Sequence, residues 1–222
     1  MVPVVSIVGR KNSGKTTLIE RIVPELKRRG LRIGTIKHES HEVKIEDIDR
    51  EGKDTYRHQV SGAEIVILAG PNKLMLVKDL SGAFSLDEIR RVYLYSLDLI
   101  LTEGYKTEDK PKIEIFRQEV GGSQGLLCTS EKDNLIAVVS DRNPELGIPC
   151  FGLDEYSKIA DFIEKEFINR KHIPEIDLSV DQKKVFLNGF AGGFLEKAIL
   201  GMISSLRDIP ENPQEIEIKI RR

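Results

Sequence analysis

Gly9-Arg10-Lys11-Asn12-Ser13-Gly14-Lys15-Thr16 satisfies G-x-x-x-x-G-K-[ST] at every fixed position, the pattern of a loop that cradles phosphates. Glycines let such a loop curl until its backbone N–H groups converge on one anion. A helix starting at the loop adds its partial positive charge. Lys15 is placed to reach β- and γ-phosphates, and the Thr16 hydroxyl to bind Mg²⁺. Gly9, Lys11, Asn12, Ser13, Gly14 and Thr17 complete the expected nucleotide-binding set. Without its flanks the same pattern is a glycine turn between a strand and a helix.

Magnesium also wants carboxylate oxygen. Leu97-Asp98-Leu99-Ile100-Leu101-Thr102-Glu103-Gly104 has the form of a Walker B strand, a buried apolar run ending in an acid and a glycine. Asp98 stands at the wrong end of that run, so Glu103 is the expected acid. Asp54 or Asp49 is a further metal candidate, in a polar stretch from Lys37 to His58 that is also rich in histidine (His38, His41). That stretch reads either as a switch-like segment or as a solvated loop leading into a short helix.

The flanks supply what the loop needs. Val4–Val8 is a β-branched run, and the apolar residues of Thr17–Val23 recur at helical spacing. Gly30 stops that helix after the basic turn Lys27-Arg28-Arg29. Leu31–Lys37 reads as a second strand, and the unit as a right-handed parallel crossover. Lys37 and His38 should then emerge on the loop side of the sheet. Glu64–Leu68 and Lys73–Val77 suggest a hairpin attached to the parallel sheet. Ser85-Leu86-Asp87-Glu88 is a capping box ahead of a helix with Ile89, Val92, Tyr93 and Leu97 on its apolar face. Lys112–Arg117 alternates as a half-exposed strand, Leu135–Asp141 suits an interior one, and Ile148–Gly152 can close the sheet. Ile159, Phe162, Ile163 and Phe167 give the last helix its buried face. The fold class is α/β: a P-loop NTPase with a mostly parallel sheet flanked by helices.

Residues 1–170 form this nucleotide-binding domain, and the linker is placed at Asn169–Pro174. Residues 175–222 read as a small α+β appendage (ββαβ): strands Ile176–Val180 and Lys183–Leu187, a helix Phe194–Leu206 and a strand Glu215–Ile220 that should bury its isoleucine face. A unit of about 50 residues buries too little to stand alone.

A net charge of −2 over 222 residues gives no bulk attraction to nucleic acid or anionic lipid. Two isolated cysteines, Cys128 and Cys150, cannot supply a disulfide framework or a four-thiolate zinc site. No apolar run approaches the roughly 18 residues of a spanning helix, and neither a signal peptide nor an anchor is expected. The expected compartment is the cytoplasm, with no nucleic acid and no membrane among the partners.

The chain resembles the molybdopterin-guanine dinucleotide biosynthesis protein B family. Four ordered pieces carry the likeness: Asn12 to Ile19, Ile36-Lys37-His38 with His41, Gly52-Lys53-Asp54 with Arg57, and Glu103-Gly104-Tyr105-Lys106. The resemblance implies a cytoplasmic GTP-binding protein, usually a homodimer, with weak GTPase activity, that assists the molybdenum cofactor guanylyltransferase in joining GMP to molybdopterin. It also implies that Gly9 to Thr17 hold phosphates, and that Thr16 and Glu103 hold Mg²⁺. Arg10 stands where some dimeric relatives of the fold carry a cation reaching across the interface, so it acts in trans on the transferring phosphate or is a solvated loop residue. The usual Asn-Lys-x-Asp guanine motif is missing, and base contacts are expected after Ser140-Asp141. Two further classes use the same loop. One is a metallochaperone-type GTPase with His38 and His41 as ligands. The other is a small-molecule P-loop kinase, for which Arg90-Arg91, on an exposed helix face, is a poor lid.

Overall fold

The computed structural model describes residues 2–82, 84–121, 124–168, 176, 178–181, 183–185, 189–206 and 216–218. The chain divides into two units, residues 1–169 and 170–222.

The first unit is built on a six-stranded sheet. Its strands are β1 (Val4–Gly9), β2 (Ile33–Lys37), β5 (Leu99–Glu103), β6 (Lys112–Phe116), β7 (Leu135–Ser140) and β8 (Cys150–Phe151), in the order β2-β5-β1-β6-β7-β8. Every pairing is parallel. Parallel neighbours need crossovers, and helices supply most of them. α1 (Lys15–Arg28) buries Leu18, Ile22 and Leu26 against Val5, Ile7, Leu99, Leu101, Ile113, Ile115 and Val139 on one face of the sheet. Its C-terminus closes as a Schellman motif, with Gly30 at φ 85°, the Leu31 N–H donating to the Leu26 carbonyl and the Gly30 N–H to that of Lys27. α5 (Tyr156–Ile163) packs Ile159, Ala160 and Ile163 on the same cluster and runs on as a π-helical turn, Glu164–Ile168. Phe162 and Phe167 are partly buried at its margin.

α3 (Leu86–Tyr93) covers the opposite face, where Leu86 packs with Val2, Val4 and Ile100. The capping box forms as expected. The apolar face does not: Val92 and Tyr93 are exposed, and Leu97 packs from beyond the helix end. The helix is two turns long and docks by its first residue. Arg90 is not on an exposed face either, because its guanidinium donates to the Val2 carbonyl and pairs with Asp87.

Two other expectations are corrected. β3 (Ile65–Ala69) and β4 (Leu74–Lys78), which follow α2 (Asp54–Val60), pair among the described residues only with each other and form a separate two-stranded sheet. β6 is interior, between β1 and β7, and its alternating polar residues are buried: Lys112 and Glu114 are each 1% exposed. Backbone takes the place of water around them. The Lys112 ammonium donates to the carbonyls of Glu108 (2.6 Å), Lys110 (3.3 Å) and Asp133 (2.7 Å). The Glu114 carboxylate accepts the N–H groups of Leu127 and Cys128 at 2.6 and 2.8 Å. Burial, with the Glu114 charge next, pushes the Cys128 thiol up to about 12. α4 (Gln118–Gly121) is a single turn after β6.

The second unit holds an antiparallel hairpin, β9 (Leu178–Val180) with β10 (Lys183–Val185), and α6 (Gly189–Ile203). Residues 216–218 form no strand, and Ile216 and Ile218 are exposed. No strand pairs with them among the described residues, and an unpaired strand leaves its backbone groups to water. The rest of Glu215–Ile220, and the linker residues 169–174, lie outside the described residues.

Replacing Lys112 by Met keeps the apolar stem but strands three carbonyls. Lys112→Met is expected to lower unfolding free energy by about 3 kcal/mol. Urea denaturation checks this, and an unchanged midpoint would show that water replaces the ammonium without loss.

Candidate functional site

Parallel pairing brings the strand ends together. Ile7 of β1 and Lys37 of β2 both stand opposite Glu103 of β5. The Gly104 N–H donates to the Ile7 carbonyl, and the His38 N–H to that of Glu103. The chain therefore leaves β1, β2 and β5 at one edge, where ligands of such sheets bind.

From β1 the loop departs through Gly9 at φ 152°, where an added Cβ would lie 2.6 Å from both the Ile115 carbonyl oxygen and the Ser13 hydroxyl. Only glycine fits that exit. Asn12 (φ 66°) and Gly14 (φ 100°) take left-handed conformations, and the Ser13 N–H closes a turn on the Arg10 carbonyl. The result is a backbone nest ending at the first residue of α1. Ser13 is 1% exposed and its hydroxyl has no partner among the described residues, a polar atom that a bound ligand would satisfy.

Lys15 folds back over the loop and its ammonium donates to the Arg10 carbonyl at 2.8 Å. Burial lowers its pKa below the ordinary lysine range, and the Glu103 carboxylate acts in the opposite sense. The Thr16 hydroxyl donates to Glu103 Oε2 at 2.9 Å. These two residues are 87 positions apart in sequence, yet they are the two expected metal ligands. Asp98 is placed as its sequence position suggested: it grips Arg32 through both oxygens and stabilises the start of β5.

Other expected groups stand elsewhere. Asp54 begins α2, is exposed, and pairs with Arg57 at 3.6 Å. Asp49 is hydrogen-bonded by the Thr55 hydroxyl and the Arg50 N–H, inside its own segment. The Arg10 guanidinium donates to the carbonyls of Gln124 (3.4 Å) and Gly125 (3.3 Å) of its own chain, with Nε buried and without a partner among the described residues. The His38 ring lies 4.6 Å from that of Tyr105, which follows Gly104 and is itself left-handed at φ 55°. His41 is exposed, and no cluster of three His, Cys, Asp or Glu side chains with metal-binding geometry occurs among the described residues.

Beside the loop runs a cleft that the sequence did not announce, from Ser13 and Thr17 to Arg117, Leu153, Asp154 and Tyr156. Its far end follows β6 and β8, so the same edge of the sheet that holds the phosphate loop holds this groove. An acid just after the last strand, Asp154, was the available signal. Asp141, after β7, has both carboxylate oxygens on the Gln118 N–H, at 3.2 and 3.3 Å.

A family model described as molybdopterin guanine dinucleotide synthesis protein B matches residues 4–141, from β1 to the end of β7. The molybdopterin-guanine dinucleotide biosynthesis adapter protein of Haemophilus influenzae is 35% identical over 165 residues, covering 73% of this chain and 88% of its own length. A putative adapter protein of the same biosynthesis from Methanocaldococcus jannaschii is 27% identical over 236 positions, covering 98% of this chain and 97% of its own. The crystal structure of Bacillus subtilis MobB superposes with a TM-score of 0.61 at 29% identity, over 76% of this chain and 99% of that one. The matched span contains the phosphate loop, the exit of β2 and Glu103, and the strand register brings those three to one place. This chain belongs to the molybdopterin guanine dinucleotide synthesis protein B family.

Proposed function

We propose that the chain is a GTP-binding adapter in the biosynthesis of molybdopterin guanine dinucleotide, assisting the molybdenum cofactor guanylyltransferase and hydrolysing GTP slowly with Mg²⁺. The observation that carries the nucleotide part is the 2.9 Å hydrogen bond between Thr16 and Glu103 at the mouth of the glycine loop. It puts a hydroxyl and a carboxylate oxygen together, a hard-oxygen pair that suits Mg²⁺. Thr16 and Glu103 would hold the ion, which when bound neutralises charge on β- and γ-phosphate oxygens. The nest of residues 9–14, the unpartnered Ser13 hydroxyl and Lys15 fit the phosphates themselves.

Slow turnover follows from where the arginine lies. Fast phosphoryl transfer commonly uses a guanidinium on the transferring group. Arg10 has its donors on carbonyls of residues 124 and 125, and would have to leave them to serve that role, in cis or across a dimer. The adapter role rests on the relatives' names, and His38 with Tyr105 gives it an aromatic pair at the same edge, suited to a partner or to molybdopterin. Exposed Ile65, Ile67, Leu68 and Leu74 on the β3–β4 hairpin support pairing with a second copy.

Lys15→Ala is expected to reduce GTP affinity on the order of 100-fold or more while leaving the melting temperature near that of the parent. Calorimetric titration decides it, and unchanged affinity would remove the phosphate-loop assignment. Glu103→Gln keeps the shape and loses the charge. Single-turnover hydrolysis should fall about 10- to 100-fold, with GTP affinity changed much less. Equal rates for variant and parent would place the metal acid elsewhere, with Asp54 the next candidate.

A further inference from the structure

The sequence lacks the usual guanine motif, base contacts were expected after Ser140-Asp141, and the Asp141 carboxylate itself accepts the Gln118 N–H. The cleft beside the phosphate loop offers a different acid. Ser13 and Thr17 line one end of it, Ile115 and Val139 give it apolar walls, and Asp154 and Tyr156 line the other end. A nucleotide with its phosphates in the nest has this groove as the adjoining space for its base. The groove has the composition such sites need, an apolar body with a few directed polar groups.

Asp154 is exposed, but the turn that carries it is closed by hydrogen bonds. It sits in a turn closed by the Glu155 N–H on the Gly152 carbonyl (3.2 Å) and by the Gly152 N–H on the Glu155 carboxylate (2.8 Å). Asp154 Oδ1 accepts the Tyr156 hydroxyl at 3.0 Å, and Oδ2 has no protein donor among the described residues. We infer that Asp154 is the carboxylate that reads the base in this cleft and selects guanine over adenine. The inference rests on the nucleotide-binding function proposed above.

The selectivity follows from donor and acceptor counts. An ionised carboxylate only accepts hydrogen bonds. The Watson–Crick edge of guanine presents two adjacent donors, N1–H and the 2-amino group, which such a group can take together. Adenine presents a bare N1 lone pair there, acceptor against acceptor, and a base seated over the exposed carboxylate would cut it off from water without pairing it. Sites built this way reject the wrong ligand strongly, because rejection includes the cost of the unmade bond.

The test titrates the full-length protein with GTP, ATP and xanthosine triphosphate in excess Mg²⁺ and reads affinity by calorimetry. The parent should favour GTP over ATP by about 100-fold or more. Asp154→Ala should lose at least about tenfold in GTP affinity and change little in ATP affinity. Asp154→Asn turns an acceptor into a donor facing the position where xanthine carries a carbonyl, so preference should move from GTP to xanthosine triphosphate. Parental GTP affinity in Asp154→Ala, equal losses for GTP and ATP, or a parent that binds GTP and ATP alike would each overturn the assignment while leaving the triphosphate site standing. A parent that binds no triphosphate overturns that site as well.

Discussion

β1 is paired in parallel on both edges and buried on both faces, and the whole site depends on that placement. Its residues Val5, Ile7 and Val8 are essentially without solvent contact. Because β5 and β6 run the same way on either side of it, the chain must leave all three strands at one edge. The exit has no room for a side chain at residue 9, since β6's own backbone occupies that volume. Glycine there is a consequence of the sheet as much as of the phosphate. Packing against β6 fixes the course of the loop at residue 9, and a nest of N–H groups held by packing binds an anion at less ordering cost.

The two faces of the sheet hold it differently. One carries the continuous apolar cluster under α1 and α5, the ordinary source of stability in such a layer. The other hides polar groups in pairs: the Thr102 hydroxyl donates to that of Ser6 at 2.9 Å, Lys112 is spread over three carbonyls, and Glu114 takes two N–H groups. These buried bonds tie the segments that follow β5 and β6 to the sheet, so the edge around Glu103 has little freedom to drift. Residues 38–60 contrast with this. Several of their bonds run among themselves, Asp49 to Thr55, Tyr56 to Glu46 and Arg57 to Asp54; the His38 N–H reaches Glu103 and the Gln59 amide reaches Asp79, and none of their side chains is buried. A segment with so few buried contacts is the one that can reorganise at low cost when a phosphate or a partner arrives.

The second unit brings a short hairpin and one helix, with Phe194, Met202 and Leu206 exposed. It cannot build a sizeable core of its own at that length. The match with the Methanocaldococcus jannaschii relative covers 98% of this chain, and so extends into this second unit.

Local chemistry made much of this protein legible in its sequence. The glycine loop between β1 and α1, the capping box, Gly30 as a helix stop and the apolar strand that ends at Glu103 all depend on residues close together in the chain, and the structure places them as expected, with Glu103 beside Thr16 and Asp98 at the far end on Arg32. The resemblance to the family rested on the same local pieces. What failed depended on neighbours. Lys-Ile-Glu-Ile-Phe alternates like a half-exposed strand, and nothing in it says that loops from 105–111 and 126–133 will cover the polar face and replace water. Val92 and Tyr93 fit a helical stripe that the sheet never met. The final isoleucines alternate well and found no strand to pair with among the described residues. Asp154 and Tyr156 gave no motif, because a cleft between the ends of β6, β7 and β8 exists only after the crossovers have set strand order. Sequence determined the chemistry of each segment. Tertiary structure decided which segments share a space, since burial and partnership are set by groups a hundred residues away.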